Sequence, residues 1–85
     1  MFLRSWSTDF AGAVQGQGYG LDQEVDSFDE AAMVLAEDLL GTASPKFFTA
    51  AMREFLKNGE IDKLDEGNGI YWNVKVENSR LSSIN

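Results

Sequence analysis

The segment from Ser44 to Gly59 leaves this chain little conformational choice. The Ser44 hydroxyl can accept from the first free amides of a helix, and Pro45 has φ preset near the helical value with no amide to leave unpaired. Phe47, Phe48, Ala51, Met52, Phe55 and Leu56 then recur at helical spacing and form one broad apolar face. Lys46, Thr49, Arg53, Glu54, Lys57 and Asn58 point the other way, and Gly59 can adopt the left-handed conformation that ends a helix. A helix with so wide an apolar face must lie on something. In 85 residues without cysteine, that partner is one small core, since neither a disulfide nor a thiolate metal site can help.

A second helix precedes it. Ser27-Phe28-Asp29-Glu30 reads as a capping box, with the Ser27 hydroxyl accepting from the Glu30 amide and the Glu30 carboxylate reaching back to the Ser27 amide. Asp29 and Glu30 also sit at the positive end of the helix dipole. Phe28, Ala32, Leu35 and Leu39 make the expected core stripe; Glu30, Glu37 and Asp38 lie on the opposite flank, with Val34 among them. The helix is expected to end near Leu40 with Gly41 at C′. Thr42 and Ala43 then join the two helices as a hairpin or corner.

The flanking segments alternate. Phe2, Trp6 and Phe10 fall on one side of a predicted first strand, with Ser5, Ser7 and Asp9 on the other. Gly12 supplies a turn, and Tyr19, Leu21 and Val25 suggest a returning strand after a run rich in glycine. Ile61 and Leu64 anchor a short element read as a helical turn, and Glu66-Gly67-Asn68-Gly69 is a turn signal. Ile70, Trp72, Val74 and Val76 then alternate with Tyr71, Asn73, Lys75 and Glu77 in the clearest strand of the chain. Residues 79–85 read as a frayed polar tail. The expected fold class is α+β, a small antiparallel sheet of two N-terminal strands and one C-terminal strand with two helices packed on one face.

Residues 1–85 are expected to form a single domain, because a chain of this size already buries only about 60–65% of its unfolded surface. At 44% hydrophobic the chain is too apolar for disorder. No segment approaches the ~20 apolar residues of a bilayer span, and Met1 to Trp6 lacks the order of a secretory signal. A cytoplasmic protein without membrane contact is the expectation.

Missing residues narrow the chemistry. With no histidine and no cysteine, a Ser-His-Asp triad, a thiolate nucleophile and the usual zinc ligands are all excluded. A carboxylate pair remains possible for glycoside hydrolysis, but no two carboxylates stand isolated among apolar residues. No catalytic residue, metal ligand or cofactor is assigned. Gly16-Gln17-Gly18-Tyr19-Gly20 fails the dinucleotide spacing, because Leu21 stands where the third glycine belongs. Asp22-x-Glu24-x-Asp26 opens like a calcium loop, but Ser27 replaces the required glycine and Met33 the bidentate glutamate.

Charge is the more informative quantity. The net charge is −7, and no Lys or Arg occurs between Ser5 and Pro45. That stretch holds Asp9, Asp22, Glu24, Asp26, Asp29, Glu30, Glu37 and Asp38, while the rest of the chain is nearly neutral. Such a field repels phosphate backbones, so direct nucleic-acid binding is not expected. It either only solubilises the protein or occupies a basic groove on a protein partner. The residues expected to make that contact are Tyr19, Asp22, Glu24, Asp26, Asp29, Glu30, Glu37 and Asp38, with Tyr19 as the aromatic anchor.

From Ser27 to Asp62 the order of features resembles the small acidic antirestriction proteins of phages, the Ocr-like family. An acidic, alanine-containing helix (Ala31, Ala32, Ala36-Glu37-Asp38) leads into Pro45-Lys46-Phe47-Phe48, and the second helix closes on Gly59-Glu60-Ile61-Asp62. The chain is equally similar to small acidic α+β inhibitors such as anti-CRISPR proteins. The resemblance implies a phage or mobile-element inhibitor that imitates nucleic-acid charge through Asp29, Glu30, Glu37 and Asp38. Its partner would be a nuclease or CRISPR effector, bound by a monomer or homodimer. The alternative is a regulatory or structural interaction module that self-associates through the edge of the Tyr71 strand.

Overall fold

The computed structural model describes residues 1–14 and 20–78. The elements run β1 (Phe2–Thr8), β2 (Asp22–Glu24), α1 (Phe28–Thr42), α2 (Pro45–Asn58), β3 (Ile61–Gly67) and β4 (Ile70–Glu77). The strands form a four-stranded antiparallel sheet in the order β2-β1-β4-β3, with both helices on one face. The α+β architecture is therefore as expected, with one strand more. The first and last strands lie side by side in the middle of the sheet: β1 pairs with β4 from Phe2 opposite Glu77 to Thr8 opposite Tyr71. β4 consequently lies inside the sheet, and the expected edge at Tyr71 does not exist.

The phase of β1 is opposite to the expected one. Leu3 and Ser5 are buried on the helix side, where they pair with Val76 and Val74; Phe2, Arg4 and Trp6 turn to the far face. The physical reason is the chain that crosses Ser5. The Leu21 amide donates to Ser5 Oγ at 2.7 Å and the Ser5 amide to the Leu21 carbonyl at 3.0 Å. A Cβ on Gly20 would stand 2.0 Å from the Ser5 carbonyl oxygen. So close an approach suits the serines of the strand, not its aromatics. Phe10 lies beyond β1 and is 83% exposed, its ring 6.5 Å from that of Tyr71. β2 is only three residues long, all exposed; Leu21 before it is half-buried and Val25 after it is buried.

α1 starts as expected at Ser27, whose Oγ accepts from the Glu30 amide at 3.1 Å. The Glu30 carboxylate accepts from the Asp26 amide rather than that of Ser27, one residue further out than a capping box would have it. The helix does not stop at Gly41. It continues through Thr42, and the Ala43 amide closes it on the Leu39 carbonyl. Its core residues are Ala31, Leu35 and Leu39; Phe28 is partly exposed but stacks on Phe55 with centroids 4.9 Å apart. α2 follows the expectation at both ends, with Ser44 accepting from the Phe47 amide and Gly59 at φ 77°. Ala51 and Phe55 are fully buried, and Leu56 is exposed at the margin of the apolar face.

The unexpected strand is β3. Ile61 pairs with Val74 and Leu64 with Trp72, so the segment is extended and not a helical turn. Between them Asp62 and Lys63 form an irregularity in which Lys63 takes φ 58°. Asn73 Oδ1 accepts from the Lys63 amide at 3.0 Å, and its Nδ2 donates to Thr8 Oγ1 and the Trp6 carbonyl. That network explains why a polar residue of β4 on the face away from the helices is buried. Asn68 and Gly69, at φ 59° and 78°, make the tight β3–β4 turn.

Candidate functional site

Helix capping and strand register decide where the acids stand. Val25, Asp26 and Ser27 join β2 to α1, so Asp26 and Asp29 are exposed at the helix's N-terminal end while Glu30 is drawn into the cap. Two turns on, Glu37 and Asp38 are exposed. Val34, expected among them, instead turns half inward and lines a recess with Leu21, Gln23, Glu37 and Asp38. That recess shows the acidic flank of α1 lying beside the β2 edge. Asp22 and Glu24 pair with Arg4 and Phe2 and therefore share the far face of the sheet, whereas Gln23 pairs with Leu3 on the helix side. Of the expected acids, Glu37 and Asp38 thus lie beside the β2 edge on the helix side, and Asp22 and Glu24 lie on the other face of that edge strand. Tyr19, expected to anchor them, lies outside the described residues, as do Gln15 to Gly18 and the residues of the expected tail.

Asp38 also belongs to a larger feature that sequence reasoning missed. Where the α1–α2 corner meets the β3–β4 turn there is an open groove of about 640 Å³. Asp38, Lys46, Phe47, Glu66 and the buried Trp72 line it, and so does Asp65, which pairs with Tyr71 so that its side chain belongs to the far face of the sheet. The two rings pack at 5.7 Å with planes tilted by 55°. Glu66 accepts from Ser7 Oγ at 3.0 Å and Asp65 Oδ1 from the Gly67 amide at 2.7 Å, so both carboxylates are held in place. Phe47 and Trp72 read as plain core in the sequence, and Asp65-Glu66 as part of a turn. The available signal was a carboxylate pair directly before Gly67-Asn68-Gly69, which puts both acids at the root of a hairpin.

Among the described residues, no group of three or more acidic, histidine or cysteine side chains is arranged to hold a metal ion. No helix among them is long and apolar enough to cross a membrane. The far face of the sheet carries Trp6 and Tyr71, with Arg4 lying 5.7 Å over the Trp6 ring and 3.3 Å from Glu77. The chain matches no family model, no curated protein and no solved structure.

Proposed function

We propose that this protein is a non-enzymatic inhibitor from a phage or mobile element. It binds a host defence protein, such as a nuclease or CRISPR effector, by placing its acidic edge in a basic nucleic-acid-binding groove. One feature supports this reading: the stretch without Lys or Arg from Ser5 to Pro45 contributes β2 and α1, and Glu37 and Asp38 of α1 line a recess with Leu21 and the β2 residue Gln23. A concentrated field of one sign steers a basic partner and speeds its capture, and it disfavours phosphate backbones.

The test is binding to a purified CRISPR effector or restriction nuclease over a salt series, with wild type and the Glu37→Lys/Asp38→Lys double variant. Affinity should fall steeply as salt rises. The double variant should bind more weakly while its stability changes by less than about 0.5 kcal/mol, as is usual for exposed substitutions. Equal binding by the variant, insensitive to salt, would reduce the acidic edge to a solubility device.

A further inference from the structure

We infer that the outer face of the two helices is the docking surface for a second copy of this chain, which pairs with it about a two-fold axis running along the helices.

Apolar surface is the first ground. α1 buries Ala31, Leu35 and Leu39 in the core beside the sheet, yet Met33 and Leu40 are 64% and 72% exposed. Seven residues apart, they share one line on the side of the helix turned away from the core. Leu56 of α2 is 60% exposed. A helix that is apolar on opposite sides is expected to be covered on both. The sheet covers only one. The helices run antiparallel, because Ala43 and Ser44 alone join them and Phe28 at the start of α1 stacks on Phe55 near the end of α2. At 15 and 14 residues they present a face of about 22 by 20 Å.

Charge then selects the occupant and its orientation. The exposed stripe of α1 carries Asp29 and Glu37, and this helix has no Lys or Arg. The exposed stripe of α2 carries Lys46, Arg53 and Lys57; its one acid, Glu54, is turned to β3, where it accepts from the Asp62 amide. The face is therefore acidic on one half and basic on the other. Among the described residues, no ion pair joins the two halves. A phosphate surface would meet the acids of α1 as like charges. A second copy turned about an axis across the helices would lay α1 on α1, acid against acid. Turned about an axis along them, α1 of each copy lies on α2 of the other, and both halves are matched. That axis preserves height along the helices, so Asp29 comes level with Lys57 of the second copy, and Met33, Leu40 and Leu56 form the seam.

Size sets the strength. Two such faces bury on the order of 1,000 Å² in all, at the small end of specific interfaces. The net charge of −7 on each copy opposes association, although physiological salt screens it beyond about 8 Å. A dissociation constant of order 100 µM is expected.

The experiment is sedimentation velocity on the whole protein from about 10 µM to 1 mM in physiological salt, a range that brackets that constant. The mass should rise from one copy to two and no further. Met33→Gln with Leu40→Gln should weaken pairing by about tenfold or more with the melt unchanged, since both side chains are exposed. Asp29→Lys alone and Lys57→Asp alone should each be monomeric, because each sets like charges against one another. Mixing these two variants should restore pairing, which a folding defect could not do. A wild-type protein still monomeric at about 1 mM would overturn the inference. So would a mixture no more associated than its components, or a dimer that tolerates Met33→Gln/Leu40→Gln and is lost with Trp6→Gln on the far face of the sheet.

Pairing of this kind requires no nuclease or effector. If dimers form as described while neither protein is captured, the helical interface stands without the inhibitor reading. If capture depends on salt and on Glu37 and Asp38 while the protein stays monomeric, the inhibitor reading stands alone.

Discussion

Replacing Gly20 with alanine should damage this domain more than any other glycine substitution among the described residues. Gly20 does not occupy the left-handed region, so crowding is the only cost. The added Cβ would lie 2.0 Å from the Ser5 carbonyl oxygen and 2.7 Å from its carbonyl carbon and Oγ. These are backbone atoms and a short buried side chain, and β1 is held on both sides by β2 and β4, so Ser5 cannot recede. Residue 20 must therefore move away, taking with it the bonds from Leu21 to Ser5 Oγ and from Ser5 to the Leu21 carbonyl. Two hydrogen bonds at about 0.5–1.5 kcal/mol each, with overpacking at about 1–3 kcal/mol, put the loss at roughly 2–5 kcal/mol. For a domain of this size that lowers the melting temperature by about 10–30 °C. Thermal unfolding followed by circular dichroism reads the shift, and amide exchange at Ser5 and Leu21 locates it. Gly12→Ala is the control, because Gly12 has φ 93° with nothing within 4 Å and suffers only from its backbone angle. A Gly20→Ala melt no lower than that of Gly12→Ala would refute the close approach.

Gly41→Ala should stabilise the protein by up to about 0.5–1 kcal/mol, since the position is helical and open and alanine has the better helix propensity. A lower urea midpoint would show that the helix ends before residue 41. Phe55→Ala should cost roughly 3–5 kcal/mol, because the ring is fully buried and stacked on Phe28; a melt shifted by only a few degrees would place Phe55 outside the core.

The helices were legible in the sequence because their signals are local. Ser27, Ser44-Pro45 and Gly59 act through neighbours within one turn, and each does in the fold what its type suggests. Gly41 misled because glycine at a helix end is a propensity, and the Ala43 amide closes on Leu39 without it. The strands were harder because their phase is decided far away in the chain. Phe2, Trp6 and Phe10 outweigh Leu3 in apolar area, yet Leu3 is the residue at 0% exposure, since Gly20 and Leu21 pass where only serines fit beside it. β3 escaped for the same reason: its extended form comes from pairing with β4 and from the Asn73 side chain, neither visible in Ile61 to Gly67. Of the candidate site, the acids of α1 could be placed from helical phase alone. The groove could not, because it joins Asp38, Phe47, Glu66 and Trp72 from four different elements.

The sheet's two outer strands decide how this protein can grow into larger objects. A fifth strand, from a peptide or a second copy, needs a regular row of free amides and carbonyls to add to. β2 offers only three residues, two of which are the acids Asp22 and Glu24. β3 is broken by its irregularity at Asp62 and Lys63, where the reversed backbone turns the row out of line. Among the described residues, strand addition is therefore disfavoured at both edges of the sheet, and concentrated solutions should resist gelation even though Trp6, Phe10 and Tyr71 leave aromatic surface away from the helices.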